Sequence, residues 1–129
     1  MNLFEQRKFI SHSGKELYWK IECDSLTDED IETLAYVVGK NFLFADVVAI
    51  PTGGIRLANA LKKYTAGSDI LRPTLVVDDV ITTGKSMIEK LKTIPYSFGV
   101  VIFDRSGKEH DFEQENIFPI FKLNSWLKM

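Results

Sequence analysis

The sequence predicts an α/β domain built on a doubly wound, mostly parallel sheet, and three observations lead there. Short apolar, β-branched runs at Asp46–Ile50, Leu75–Asp78 and Phe98–Phe103 read as strands buried on both faces. The first two runs each lead into a glycine-bearing loop and then into apolar residues at helical spacing. A helix between successive strands is the connection that parallel pairing requires. With 129 residues, the chain is one domain by length and long enough to bury most of its apolar surface.

In chain order, residues 1–26 alternate loosely, with Phe4, Phe9, Leu17, Trp19 and Ile21 among polar residues around Ser13-Gly14. One or two short strands and a turn are expected there. Leu26-Thr27-Asp28-Glu29-Asp30-Ile31 marks a helix start. Thr27 can cap it, the acids suit its positive first turn, and Leu26 with Ile31 can form a hydrophobic staple. Ile31, Leu34, Ala35 and Val38 continue the stripe, and Gly39 is the expected stop. Asp46–Ile50 is followed by Pro51-Thr52-Gly53-Gly54-Ile55-Arg56 and by a helix through Leu57, Ala58, Leu61 and Tyr64, ended by Gly67. After the strand Leu75–Asp78, Met87, Ile88 and Leu91 mark a helix stopped by Pro95. Phe98–Phe103 ends at Asp104-Arg105-Ser106-Gly107, and Ile117–Leu123 is the last strand, which Pro119 assigns to an edge or a bend. Ligands of such sheets sit at the carboxyl ends of the strands. Loops 51–56, 78–86 and 104–107 are therefore expected to converge.

Composition narrows the function classes. A hydrophobic content of 45% with 26% charged residues is that of a soluble globular protein. The net charge of -2 leaves no basic footprint, which argues against nucleic acid as a partner. Cys23 is the single cysteine, so neither an internal disulfide nor a zinc site is expected, only a small half-buried side chain. No apolar run approaches the roughly 20 residues that span a bilayer, and the amino terminus lacks the apolar core of a signal peptide. The expectation is a cytoplasmic protein with no membrane partner.

Loop 82–86 (Thr82, Thr83, Gly84, Lys85, Ser86) combines hydroxyl donors, a glycine and a helix start, a set that suits a phosphomonoester. Taken alone it also fits an ordinary hydroxyl-rich helix cap. Gly84-Lys85-Ser86 resembles the end of a P-loop, but that motif needs glycine where Asp79 stands, and a carboxylate there would face the phosphates. The P-loop reading fails. Asp78 and Asp79 can accept hydrogen bonds from sugar hydroxyls or hold a divalent cation, directly or through water; a solvated pair of loop acids is the bland alternative. In the preceding loop, Gly53 and Gly54 let backbone N–H groups approach a second anion, and Arg56 could add a charge-assisted contact. A phosphate cradle, a second anion subsite and acids between them describe phosphoribosyl pyrophosphate bound with magnesium.

These residues resemble a family. Val76-Val77-Asp78-Asp79-Val80-Ile81-Thr82-Thr83-Gly84-Lys85-Ser86 resembles the phosphoribosyl pyrophosphate signature of the type I phosphoribosyltransferases. Val47-Val48-Ala49-Ile50-Pro51-Thr52-Gly53-Gly54-Ile55-Arg56-Leu57-Ala58 is similar to that family's pyrophosphate loop, and the two segments come in the family's order. The likeness is greatest to orotate phosphoribosyltransferases, through Ser13-Gly14-Lys15 after Phe9 and through Asp104-Arg105. The resemblance implies that Asp78 and Asp79 hold the ribose hydroxyls and Mg2+, and that Thr82, Thr83, Gly84, Lys85 and Ser86 bind the 5-phosphate. It assigns Thr52, Gly53, Gly54 and Arg56 to pyrophosphate, with Asp78, Asp79 and Arg56 as the catalytic set. Arg105 would approach the base, with His12 near it, and residues 1–25 with the carboxyl tail would form a small hood within a single domain, 1–129. A homodimer is the family's common state.

There are two departures. Lys62 to Thr74 is too short for the family's usual pair of strands and mobile loop. His12 also stands where orotate enzymes place a lysine, and a partly neutral histidine is a weaker carboxylate partner. The implied activity is transfer of ribose 5-phosphate to a nucleobase, orotate or another pyrimidine, with pyrophosphate released. The alternatives are a purine phosphoribosyltransferase and a non-catalytic regulatory protein that binds phosphoribosyl pyrophosphate. Trp126 could stack on a base, while His12 and His110 read as surface or hood residues rather than catalysts.

Overall fold

A computed structural model describes residues 4–5, 9–10, 16–17, 20–21, 23–67, 71–106 and 112–123. His12, the Ser13-Gly14 turn, His110 and Trp126 lie outside the described residues. The amino-terminal segment holds short strands β1 (Phe4–Glu5), β2 (Phe9–Ile10), β3 (Glu16–Leu17) and β4 (Lys20–Ile21). β1 pairs antiparallel with β4, and β2 with β3. This is more strand than the loose alternation predicts, in shorter pieces. A 3₁₀ turn at Cys23–Ser25 then joins these strands to the first helix.

Helix α1 runs from Asp28 to Asn41 behind a complete capping box. The Thr27 hydroxyl accepts the Asp30 N–H at 3.0 Å, and the Asp30 carboxylate accepts the Thr27 N–H at 2.8 Å. Ile31, Leu34, Ala35 and Val38 form the buried stripe, as their spacing predicts. Gly39 does not end the helix. A Cβ there would lie 2.6 Å from the Tyr64 ring, so glycine at this position lets α1 close against the chain that follows the second helix. Close packing outweighs the roughly 1 kcal/mol that glycine costs inside a helix.

The central sheet contains β5 (Asp46–Ala49), β6 (Thr74–Ile81), β7 (Ser97–Asp104) and β8 (Ile117–Lys122), paired in that order and all parallel. Helix α2 (Ile55–Leu61) follows β5 and tightens into a 3₁₀ turn over Lys62–Tyr64; α3 (Lys85–Thr93) joins β6 to β7. Alternate residues of β6 face opposite ways. Leu75 and Val77 enter the core made with α1 and α2, while Val76 packs with Met87 of α3 and Val101 of β7. Both faces of the sheet are therefore covered by helices, which is the doubly wound arrangement. β8 pairs only with β7 among the described strands, the edge position that Pro119 favours.

Two boundaries differ from expectation in ways that bear on the site. β6 continues past Asp78 to Ile81, so both acids lie inside the strand rather than beyond it. The β6–β7 pairing continues on either side of Asp79, with Asp78 opposite Val101 and Val80 opposite Phe103. α2 ends before Tyr64 and well before Gly67, because residues 62–64 tighten and residues 65–67 turn back along the start of β5. There the Ala66 N–H donates to the Phe44 carbonyl at 3.1 Å and the Gly67 N–H to Ala45 at 3.3 Å. Among the described residues no strand stands between β5 and β6. No described helix is long and apolar enough to cross a membrane.

Candidate active site

Because the sheet is parallel, the chain leaves β5, β6 and β7 at one end. The turn after β5 is drawn tightly under β6. The Ile50 N–H donates to the Val77 carbonyl at 2.9 Å, and the Gly54 N–H returns to the Ile50 carbonyl at 3.0 Å. The Pro51–Thr52 peptide within this turn is cis. A Cβ on Gly54 would sit 2.2 Å from the Val77 carbonyl oxygen, so the backbone itself occupies the space a side chain would need. A Cβ on Gly53 would lie 2.4 Å from the Asp79 carboxylate. The bare face of Gly53 is what allows that carboxylate to lie against the loop. The 51–54 turn is thereby in contact with the end of β6, as the sheet topology predicts.

The acids are arranged as a pair. Asp78 accepts the Asp79 N–H at 2.8 Å, and Asp79 accepts the Val80 N–H at 2.7 Å. Burial pushes the Asp78 carboxyl up from its ordinary 3.8 to about 7, and its interaction with the neighbouring Asp79 carboxylate adds to the rise. A folded-state value above the unfolded one means that the folded protein holds the extra proton between these values. The stability contributed by Asp78 is fully present below about pH 4 and is lost as the pH rises through about 7. The ligand-free protein is expected to lose thermal stability across that window, with Asp78→Asn flattening the slope. Parallel melting profiles of wild type and variant from pH 4 to 8 would refute this.

β6 leads through Thr82 and Thr83 into Gly84, which caps α3 at φ +81°. The Lys85 N–H reaches the Thr83 hydroxyl at 3.4 Å, and Thr83, Lys85 and Ser86 are exposed. The first turn of α3 offers its N–H groups and positive end at the mouth of the crevice. Gly84 has a second constraint that nothing in its own neighbourhood of sequence announces. A Cβ there would lie 2.7 Å from the Phe112 ring, which covers the loop from the α3 side of the sheet. Gly84→Ala is expected to destabilise the protein by about 1–2 kcal/mol for the left-handed backbone, with weaker binding of ribose 5-phosphate. Denaturant unfolding and calorimetric titration check the two parts separately.

Asp104, which ends β7, and Arg105 and Ser106, which follow it, are buried. The Arg105 N–H donates to the Ile81 carbonyl at 3.0 Å, which brings this turn beside the end of β6. The Ser106 N–H donates to the Asp104 carboxylate at 2.9 Å. Burial lowers the Arg105 pKa. The sequence assigns no role to Ser106 or to the covering Phe112, and marks Asp104 only beside Arg105. Asp104 and Ser106 flank Arg105 and were in view, whereas Phe112 gave no local signal.

Arg56 stands at the second position of α2, just after the turn. Its guanidinium donates to the Leu26 carbonyl at 2.8 Å and the Cys23 carbonyl at 3.4 Å, and it meets the Asp28 carboxylate at 3.2 Å. These bonds tie α2 to the joint between β4 and α1. Thr52, Gly53 and Gly54 remain in the turn, Thr52 and Gly53 exposed and Gly54 buried. His12, expected near the base, lies outside the described residues.

No protein-family model matches the chain, and no curated protein matches it. Solved structures do. Orotate phosphoribosyltransferase from Aeropyrum pernix superposes with a TM-score of 0.70 at 23% identity, covering 97% of this chain and 91% of that one. The chain has the phosphoribosyltransferase fold. Adenine phosphoribosyltransferase (APRTase) from Giardia lamblia, complexed with 9-deazaadenine, shows the same fold with a TM-score of 0.64 at 11% identity, covering 92% of this chain and 93% of that one. UMP synthase of Leishmania donovani matches with a TM-score of 0.73 at 15% identity over 94% of this chain, but over 34% of its own length. The phosphoribosyltransferase fold thus extends over nearly the whole chain and accounts for the parallel sheet. These likenesses span proteins named for different bases, so they do not single out a base.

Proposed function

We propose that the protein is a phosphoribosyltransferase that moves ribose 5-phosphate from phosphoribosyl pyrophosphate to a nucleobase in the cytoplasm. The contact of the Asp79 carboxylate with Gly53 carries the reading, because it joins the acid pair to the second anion loop at the end of a parallel strand. The Thr82–Ser86 loop and the α3 start would receive the 5-phosphate, and the turn at Thr52–Gly54 the pyrophosphate. A base nitrogen bonds to the anomeric carbon as the bond to the pyrophosphate oxygen breaks, the leaving group taking the electron pair. The carboxylates of Asp78 and Asp79 face the positive charge that grows on the ribose. No protein nucleophile is needed.

Asp78 and Asp79 fit Mg2+ in their hard oxygen donors. Among the described residues no group of three or more acidic, histidine or cysteine side chains is placed to hold a metal ion. The pair therefore suits a cation that keeps waters and phosphate oxygens as its other ligands. Bound there, magnesium would neutralise the charge of the leaving pyrophosphate. Arg105 at the end of β7 is the candidate base contact, which favours orotate or another base with an anionic edge.

A second reading, a non-catalytic regulator that binds phosphoribosyl pyrophosphate, is favoured by the absence of a described strand between β5 and β6. Incubation with phosphoribosyl pyrophosphate, magnesium and a panel of pyrimidine and purine bases separates the two. Pyrophosphate release with at least one base is expected. Tight binding of phosphoribosyl pyrophosphate without release on any base would sink the transferase and leave the regulator.

A further inference from the structure

Arg56 lies at the second position of α2, directly after the turn that carries Gly53 and Gly54. Its side chain reaches away from that turn, across more than thirty positions of sequence to Cys23 and just thirty to Leu26. The Cys23 carbonyl also accepts the Leu26 N–H at 3.0 Å, so the 3₁₀ turn of residues 23–25 and the guanidinium meet at one oxygen. The Asp28 side chain in this set is fully exposed, and an ion pair so exposed to water contributes little. The carbonyl bonds are the firmer part, because the planar guanidinium fork can engage several acceptors in one fixed geometry. The same turn that Arg56 anchors also touches Asp79 through Gly53. A continuous path therefore runs from the acid pair, through the 51–54 turn and Arg56, to residues 23–28 and the strand β4 that precedes them.

We infer that Arg56 is a positioning residue, coupling the occupancy of the 51–54 turn to the joint beneath the amino-terminal strands that are expected to cover the base. The inference rests on the transferase reading for its catalytic consequence, though not for its structural one. Anion binding in the turn fixes the start of α2, and Arg56 passes that order to residues 23–28. By linkage, a base held under the strands tightens the grip on pyrophosphate in return.

Hydrogen exchange on the full chain, with and without magnesium pyrophosphate, tests the coupling without turnover. In the wild type, magnesium pyrophosphate slows exchange of the amides of residues 20–28 by about fivefold or more. Arg56→Ala still binds magnesium pyrophosphate in calorimetry but loses this protection, and in turnover its KM for the base rises by about tenfold. Arg56→Lys, whose single ammonium cannot span the same acceptors, recovers part of both effects. Asp28→Ala behaves as wild type. Should Arg56→Ala fail to fold, judged by denaturant unfolding, Arg56→Lys carries the comparison.

Loss of pyrophosphate affinity by about tenfold or more in Arg56→Ala would make Arg56 a direct anion ligand and overturn the inference. Undiminished protection in Arg56→Ala would overturn it equally, and an Asp28→Ala variant as impaired as Arg56→Ala would move the tie to the ion pair. Protection in a wild type that turns over no base would remove the transferase reading and leave the coupling standing.

Discussion

The double substitution Asp78→Asn with Asp79→Asn is expected to lower turnover by about a thousandfold and to abolish the magnesium dependence of phosphoribosyl pyrophosphate binding. Both side chains lie within β6 and accept N–H groups of their own strand, so the amides can keep much of the local bonding while removing the charge. Burial, with the neighbouring Asp79 adding to it, already pushes the Asp78 carboxyl up to about 7, so charge at this position is disfavoured in the folded protein. Removing both charges should stabilise the ligand-free protein while depriving the ribose and the cation of their partners. Titration of phosphoribosyl pyrophosphate with and without magnesium reads the result directly. Unchanged, magnesium-dependent affinity in the double variant would place the ribose elsewhere.

A second large effect separates site from scaffold within adjacent glycines. In Gly54→Ala the new methyl would meet the Val77 carbonyl oxygen at 2.2 Å and the Ile50 nitrogen at 3.1 Å, both backbone. Neither can yield without disturbing β6, and a destabilisation of about 3 kcal/mol or more is expected, read by denaturant unfolding. In Gly53→Ala the nearest atoms to the methyl all belong to the Asp79 carboxylate, which can rotate away. Stability should fall by less than about 1 kcal/mol, as at a surface position, while turnover falls by about a hundredfold because a catalytic group has been displaced. Equal stabilities for the two variants, or a fully active Gly53→Ala, would mean that the turn is not held as described.

The sequence by itself determined the parallel α/β sheet, the Thr27 cap, the buried stripe of α1 and the approach of the 51–54 turn to the acid pair. These are legible because they are local: side-chain period, cap chemistry and glycine loops act over a few residues, and a parallel sheet brings its carboxyl ends together. Tertiary structure alone decided what a glycine or an arginine does at long range. Gly39 reads as a helix stop until Tyr64 lies across it, and Gly84 reads as a loop glycine until Phe112 covers it. Arg56 reads as an anion ligand from its place in the loop, and nothing local announces that Leu26 and Cys23, distant in sequence, present carbonyls to its guanidinium. A guanidinium goes where its donors can be shared among fixed acceptors. Which acceptors stand within reach is set by how α1 and α2 pack, and no local pattern records that.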